Sequence, residues 1–328
     1  MNRREFLGTM AGGLLAAPLA AGAQQAGKVW RIGMAGLYPG QYPPEPLEVF
    51  RELLRKKGYV EGRNLVLDIR DGDGTRERLI VLYQGLVNDG ADILIAHSQL
   101  NIFAAKRVTS SVPIVMIYGY DPVGTGVAQS LSRPGGNVTG MTYDPAPEHV
   151  AKLVEFLKQA APSLRRLAIL GDPRLFDIEV WFRPAEDAAA RLHVATTRSV
   201  VTRAEDLDGA FRSITYGGAN GLIVLAGNMF YMQRKKLVAL SSRYRLPTAY
   251  GLIATVEEGG LMAYGPDTET HYRQAVTYID RIIRGSKPGD LPIEQPTKLL
   301  LVINLKTAKA LGLTIPPALL QRADQVIE

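Results

Sequence analysis

The 328-residue chain contains no cysteine. That absence removes disulfides, a thiol nucleophile, cysteine-based metal sites and lipid attachment through a lipobox cysteine. Histidine is scarce, and His97, His149, His193 and His271 show neither metal-ligand spacing nor an H-E-x-x-H pattern. No metal, cofactor or catalytic residue is therefore expected. No G-x-x-x-x-G-K-[ST] loop is present to cradle nucleotide phosphates, and no G-x-S-x-G elbow to present a serine. Gly124 and Gly126 approach a dinucleotide fingerprint, but position 129 is Gln and Pro122, not a strand, precedes them. Asp71, Asp73 and Thr75 fall short of a calcium loop, with Arg76 where glycine and Leu82 where glutamate is required, and fit a polar turn capping a helix. The triplet at 137–139 matches a glycosylation acceptor but reads as a turn entering a strand.

Charge of one sign is never concentrated. The formal +6 arises from 38 basic and 32 acidic residues, and no basic run exceeds Arg234, Lys235 and Lys236. A nucleic-acid stripe is not supported. Long apolar runs are also missing: the uncharged stretch at 7–20 falls short of the roughly 20 strongly apolar residues that span a bilayer. It follows Arg3 and Arg4 and ends in Ala21, Gly22 and Ala23, an A-x-A cleavage pattern. The segment 1–23 is therefore expected to be a cleaved signal peptide, and its arginine pair resembles a twin-arginine export signal. No membrane span is expected after cleavage, and the mature chain is expected in the periplasm as a monomer.

What the chain does contain is 46% hydrophobic and 21% charged residues, enough for two domains with proper cores. From 29 onward, short aliphatic runs alternate with longer amphipathic stretches, the pattern of βαβ units and an α/β class. Strands are expected at 29–35, 65–70, 92–96 and 113–118, with helices at 45–57, 75–88 and 100–108 between them. A Gly/Pro-rich passage at 119–140 breaks the rhythm, and 137–143 reads as a first crossing between lobes. The pattern then resumes with helices at 148–159, 178–192, 204–214 and 230–244 and strands at 167–170, 194–200 and 222–226. A last unit holds a strand at 261–264, a helix at 271–284, a strand at 298–303 and a helix at 305–311.

Five blocks carry a resemblance that covers nearly the whole chain: GYVEGRN at 58–64, DPVGTG at 121–126, RPGGNVTG at 133–140, EGGLMAYG at 258–265 and NLKTAKALGL at 304–313. The chain resembles a family of importer substrate-binding proteins that includes binding proteins for tryptophan and other aromatic amino acids. The resemblance implies the type I periplasmic-binding-protein fold, an α/β architecture of two doubly wound parallel-sheet lobes joined by three crossing segments. It divides the chain into lobe one, 28–140 with 262–291, and lobe two, 141–261 with 292–328. Crossing segments turn tightly, where glycine's positive φ and missing Cβ serve.

Ligands of open α/β sheets sit beyond the carboxyl ends of the strands. The binding candidates are accordingly Gly36, Leu37, Tyr38, His97, Ser98, Gln99, Tyr118, Gly119, Tyr120, Asp121, Gly171 and Asp172, joined in lobe two by Asn228, Tyr250 and Gly251. Tyrosines recur among them, favouring an aromatic or partly apolar ligand. Tyr38, Tyr118 and Tyr250 serve equally well as a seal between lobes. Ser98 suits a carboxylate site at a helix start or a simple N-cap. Asp121 suits a ligand ammonium, but an Asp before Pro more readily begins a turn. His97 stands where family members commonly carry small residues, so ligand identity does not transfer.

The function implied is that of an extracytoplasmic receptor for an ATP-driven permease in the inner membrane, closing by hinge motion on a small organic ligand, an amino acid or an aromatic or carboxylate compound, without reacting with it. A sensor feeding a membrane kinase or chemoreceptor shares these features, and a periplasmic enzyme can occupy the same scaffold. A DNA-binding repressor is excluded, because the secretory segment stands where its DNA-reading module belongs.

Overall fold

The computed structural model describes residues 27–42, 44–143, 149–174, 178–296 and 298–328; the 1–23 segment lies outside them. The first sheet is built from β1 (Trp30–Gly36), β2 (Leu65–Asp71), β3 (Ile93–Ala96), β4 (Ile114–Gly119) and β5 (Val138–Thr142), all parallel, in the order β2-β1-β3-β4-β5. Helices α1 (Pro44–Lys56), α2 (Arg76–Asn88) and α3 (Gln99–Val108) connect its strands.

The second sheet combines β6 (Arg166–Gly171), β7 (Ala195–Val200), β8 (Gly221–Val224), β9 (Thr248–Tyr250), β10 (Met262–Pro266), β11 (Leu299–Asn304) and β12 (Gln325–Ile327), in the order β12-β11-β10-β9-β8-β6-β7. Only the β10–β11 pair in it is antiparallel. Its helices are α4 (His149–Ala160), α5 (Glu179–Arg191), α6 (Leu207–Tyr216), α7 (Asn228–Met232), α8 (Arg234–Arg243), α9 (Ala254–Glu257), α11 (Leu305–Ala310) and α12 (Pro317–Leu320); α10 (Thr268–Ile283) returns to the first sheet.

Alternation along the strands explains why each sheet is covered on both faces. In β3, Ile93 and Ile95 join a core with Phe50 of α1 and Tyr278 of α10, whereas Leu94 and Ala96 join one with Leu82 of α2 and Ile102 of α3. In β6, Leu167 and Ile169 pack with Leu153 of α4 and Phe182 of α5, while Ala168 and Leu170 pack with Phe211 of α6 and Leu237 of α8. Period-two side chains in a fully buried parallel strand require helices on both sides, which is the doubly wound arrangement.

The chain passes between the sheets three times, after β5, after β10 and before β11. The lobe boundaries move accordingly. Residues 137–143, expected as a crossing, are largely β5, whose Thr142 still pairs Gly119 of β4. Residues 262–266, expected to open the returning lobe-one segment, belong to β10, held between β9 and β11 of the second sheet. Residues 292–294 remain on lobe one, where Ile293 N donates to Leu131 O and Glu294 N to Gly140 O, so the third crossing follows Glu294. The single helix expected at 230–244 is two helices broken at Gln233. Gly140 explains one glycine block: its φ is +127°, and a Cβ there would collide with the Met116 carbonyl of β4.

Candidate functional site

Strand ends of both sheets point into one interlobe cleft with a volume of about 420 Å³. Lobe one supplies Leu37, Tyr38 and Gln41 after β1, His97, Ser98 and Gln99 after β3, Tyr118 and Tyr120 at the end of β4, and Tyr143 after β5. Lobe two supplies Asp172 and Arg174 after β6, Ala226, Gly227 and Asn228 after β8, and Gly251, Leu252 and Ile253 after β9. Helices add His149, Trp181, Tyr231 and Tyr272. A second hollow of about 440 Å³ opens outward from lobe one between α2, α3 and residues 125–127 and holds none of the strand ends.

Of the residues expected at the site, the structure brings together Leu37, Tyr38, His97, Ser98, Gln99, Tyr118, Tyr120, Asp172, Asn228 and Gly251. The other five do not line the cleft. Gly36, Gly119 and Gly171 are buried behind it, where a Cβ would press on Gln41, Met116 and Ile178 respectively. Asp121 is exposed at φ +33°, and its carboxylate accepts from Gly124 N at 2.9 Å, the turn role that an Asp before Pro favours. Tyr250 lies 1% exposed in the lobe-two core and donates to Ser241 Oγ at 2.9 Å, because it is the last residue of a buried strand and faces away from the cleft.

Sequence reading missed Gln41, Tyr143, His149, Arg174, Trp181, Tyr231 and Tyr272. Tyr143 directly follows a segment whose turn formers read as a crossing, and Gln41 stands in the loop well past the end of β1. Trp181, His149, Tyr231 and Tyr272 lie on helices, and nothing in a helical pattern announces which residue will meet the opposite lobe.

The lining is aromatic and continuous. His97 packs against Tyr42 at 5.3 Å, Tyr118 at 5.1 Å and Tyr272 at 5.8 Å between ring centroids. Tyr118 in turn meets Tyr143 at 5.7 Å, and Tyr143 lies 6.4 Å from Trp181. Tyr120 of lobe one faces Trp181 of lobe two at 5.5 Å. Aromatic pairs at these separations add about 0.5–1.5 kcal/mol each beyond area burial. Further links between the lobes are the Tyr143 hydroxyl, which donates to Gly251 O at 2.8 Å, and the Arg174 guanidinium, 5.9 Å from the Tyr38 ring centroid.

A buried polar network fixes the lobe-one loops. Asn101, fully buried on α3, donates to Ala35 O at 2.6 Å, and the Tyr83 hydroxyl donates to Ile95 O at 2.8 Å. Ser98 is the N-cap of α3, accepting from Asn101 N and donating to Asn101 Oδ1 at 2.5 Å. The N-cap role expected of Ser98 is therefore filled. Gln41 Oε1 accepts from Leu37 N at 2.6 Å and Tyr38 N at 3.2 Å, and Gln99 Oε1 accepts from Tyr120 N at 2.8 Å. Their Nε2 atoms, with Nδ1 of His97, are buried without a partner. An unmet buried polar group costs about 1–3 kcal/mol, so three at one wall call for an explanation.

Burial, reinforced by His271, pushes His97 down from 6.5 to about 3, so its imidazole is neutral. Burial also lowers His271, against hydrogen bonds to the carbonyls of Asp267 and Thr142. Burial raises the Tyr38 phenol, with Arg174 opposing. Among the described residues no group of three or more histidines and carboxylates is placed to hold a metal, and no helix is long and apolar enough to cross a membrane.

The family model described as ABC transporter substrate binding protein matches residues 46–327. A tyrosine-binding protein of Clostridioides difficile is 24% identical over 264 residues, covering 80% of this chain and 75% of its own length. Two solved structures superpose with TM-scores of 0.80: the ABC domain of Streptococcus pneumonia in complex with L-Trp, at 22% identity over 92% of this chain and 100% of that one, and a conserved domain protein of Vibrio cholerae, at 24% identity over 91% and 100%. The architecture is that of the type I periplasmic binding proteins.

Proposed function

Because this chain belongs to the ABC transporter substrate-binding protein family, we propose that it is the exported receptor of an importer and captures a small aromatic solute between its lobes. Residues 1–23 direct export, by a twin-arginine route, and the mature monomer works in the periplasm. An open form admits the solute, hinge motion at the three crossings closes both sheets on it, and the closed form docks on an inner-membrane permease that reopens it. The binding candidates are the cleft residues named above, and the solute class is an amino acid or other aromatic carboxylate.

The observation that carries this reading is the pairing of aromatic rings from opposite lobes, Tyr120 with Trp181, at the point where the strand ends converge. A flat ring held there exchanges water for aromatic faces on both sides. The tyrosine and tryptophan named for the relatives agree with such a lining. Family membership speaks for binding without turnover.

A thermal-shift screen of the mature chain against amino acids and aromatic acids tests this. A solute present at a hundredfold its Kd raises stability by about 2.7 kcal/mol and is recovered unchanged. Stabilisation by sugars or metal ions alone, or chemical conversion of the bound compound, refutes the reading.

A further inference from the structure

The lobe-one wall of the cleft carries two amide donors that no protein acceptor meets. Gln41, 5% exposed, and Gln99 each have their carbonyl oxygen held by backbone N–H groups, which can only donate. The amide orientation is thereby fixed by chemistry, and the end left over in both is an NH₂ group, buried and unpartnered. Gln41 follows β1 and Gln99 follows β3, neighbouring strands of the sheet, and His97, at the same end of β3, has an unpartnered Nδ1 that donates when the neutral ring carries its proton there. The ten-residue helix α3 begins at Gln99, so its positive dipole end falls on the same wall.

The charges lining the cleft point the same way. Among the described lining residues the cations are Arg76 and Arg174 and the one carboxylate is Asp172. Asp172 is already engaged: Arg174 donates from Nε to Oδ1 at 2.9 Å and to Oδ2 at 3.2 Å, from Nη2 to Oδ2 at 2.6 Å, and from its backbone N to Oδ1 at 3.0 Å. A carboxylate entering this cleft meets spare amide donors and a net positive lining, whereas an ammonium meets a single carboxylate that Arg174 already engages.

Building on the receptor reading above, we infer that the solute is an arylcarboxylate without an α-ammonium, its carboxylate received by Gln41, His97 and Gln99 and its ring lodged beside Tyr120 and Trp181. The specificity of this chain would then differ from the amino acids named for its relatives, and His97, Gln41 and Gln99 would be the residues that set it.

Calorimetric titration with matched pairs separates this inference from the one it rests on. Indole-3-propanoate against L-tryptophan, and 3-phenylpropanoate against L-phenylalanine, differ only in the ammonium group. The acid of each pair is expected to bind about tenfold or more tighter than its amino acid. Equal or tighter binding of the amino acids overturns the inference and leaves the aromatic receptor standing; binding of none of the four overturns the inference, and silence of the whole thermal-shift screen overturns the receptor reading as well. As a second arm, Gln41→Glu and Gln99→Glu keep the carbonyl acceptor and replace the NH₂ donor by a negative oxygen. Each is expected to weaken the acid about tenfold and to move preference toward the amino acid, with the melting temperature reporting that the variant folds. An unchanged preference in both variants also overturns the proposal.

Discussion

Tyr120 of lobe one and Trp181 of lobe two lie with ring centroids 5.5 Å apart and planes inclined at 51°, although one belongs to a strand end and the other to a helix of the opposite sheet. A solute entering the cleft has to part or share this pair. Only two tryptophans exist, and Trp30 lies at the start of β1, the end away from the cleft, under the Lys28 ammonium. Solute binding is therefore expected to change tryptophan emission in the wild type and in Trp30→Phe, and to leave it unchanged in Trp181→Phe. A response that disappears with Trp30 instead contradicts the placement of the site.

The same pair carries an energetic prediction. Tyr120→Ala and Trp181→Ala are each expected to weaken an aromatic solute about tenfold or more, with a coupling of about 0.5–1.5 kcal/mol in the double-mutant cycle measured without solute by denaturation. Zero coupling would mean that the rings are neighbours without being partners.

The return of α10 to lobe one rests on a buried contact: the Tyr59 hydroxyl donates to Asp280 Oδ1 at 2.7 Å. Burial opposes the Asp280 charge, but hydrogen bonds from Tyr59 and Arg284 outweigh it and hold the carboxyl below its usual range. Tyr59→Phe is expected to lower stability in urea by about 1.5–3 kcal/mol, the range for a hydrogen bond to a charged group. Stability indistinguishable from the wild type would show that Arg284 alone satisfies the carboxylate.

Gly140 occupies a conformation that L side chains rarely adopt, and a methyl group there meets the backbone of β4. Gly140→Ala is expected to cost about 2–5 kcal/mol, combining backbone strain with overpacking. Soluble expression with an unaltered melting temperature would contradict the strand pairing described for β5.

Acid is expected to destabilise the protein through its histidines. His97 binds its proton at about 3 in the folded chain and near 6.5 when unperturbed, so between those values the unfolded chain holds the extra proton. Stability attributable to His97 is therefore full above 6.5 and is lost as pH falls toward 3; the lowering of His271 adds in the same direction. Melting temperatures recorded from pH 7 to pH 4 should fall less steeply for His97→Phe than for the wild type, and an identical slope would refute the assignment.

Much of the fold was legible because buried parallel strands are short, aliphatic and separated by amphipathic helices, and both β3 and β6 lie where alternation places them. Reading failed at the crossings. Residues 137–143 are rich in turn formers, yet Val138, Thr139 and Met141 are buried in a strand, because β4 offers them an unpaired edge that local propensity cannot register. The site shows the same divide. His97, Ser98 and Gln99 were found because a strand end is a local feature, whereas Trp181 and Tyr272 reach the cleft only through the packing of their helices.

By itself, then, the sequence determined the α/β class, the strand ends that hold polar and aromatic side chains, and the absence of thiol chemistry, because these depend on residue type and short-range periodicity. The tertiary structure alone decided that Tyr250 is core while Tyr143 lines the cleft, that Asp172 is engaged by Arg174, and that Gln41 and Gln99 keep unspent donors. Whether a polar group has a partner depends on what lies across space from it, and only the folded chain sets that distance.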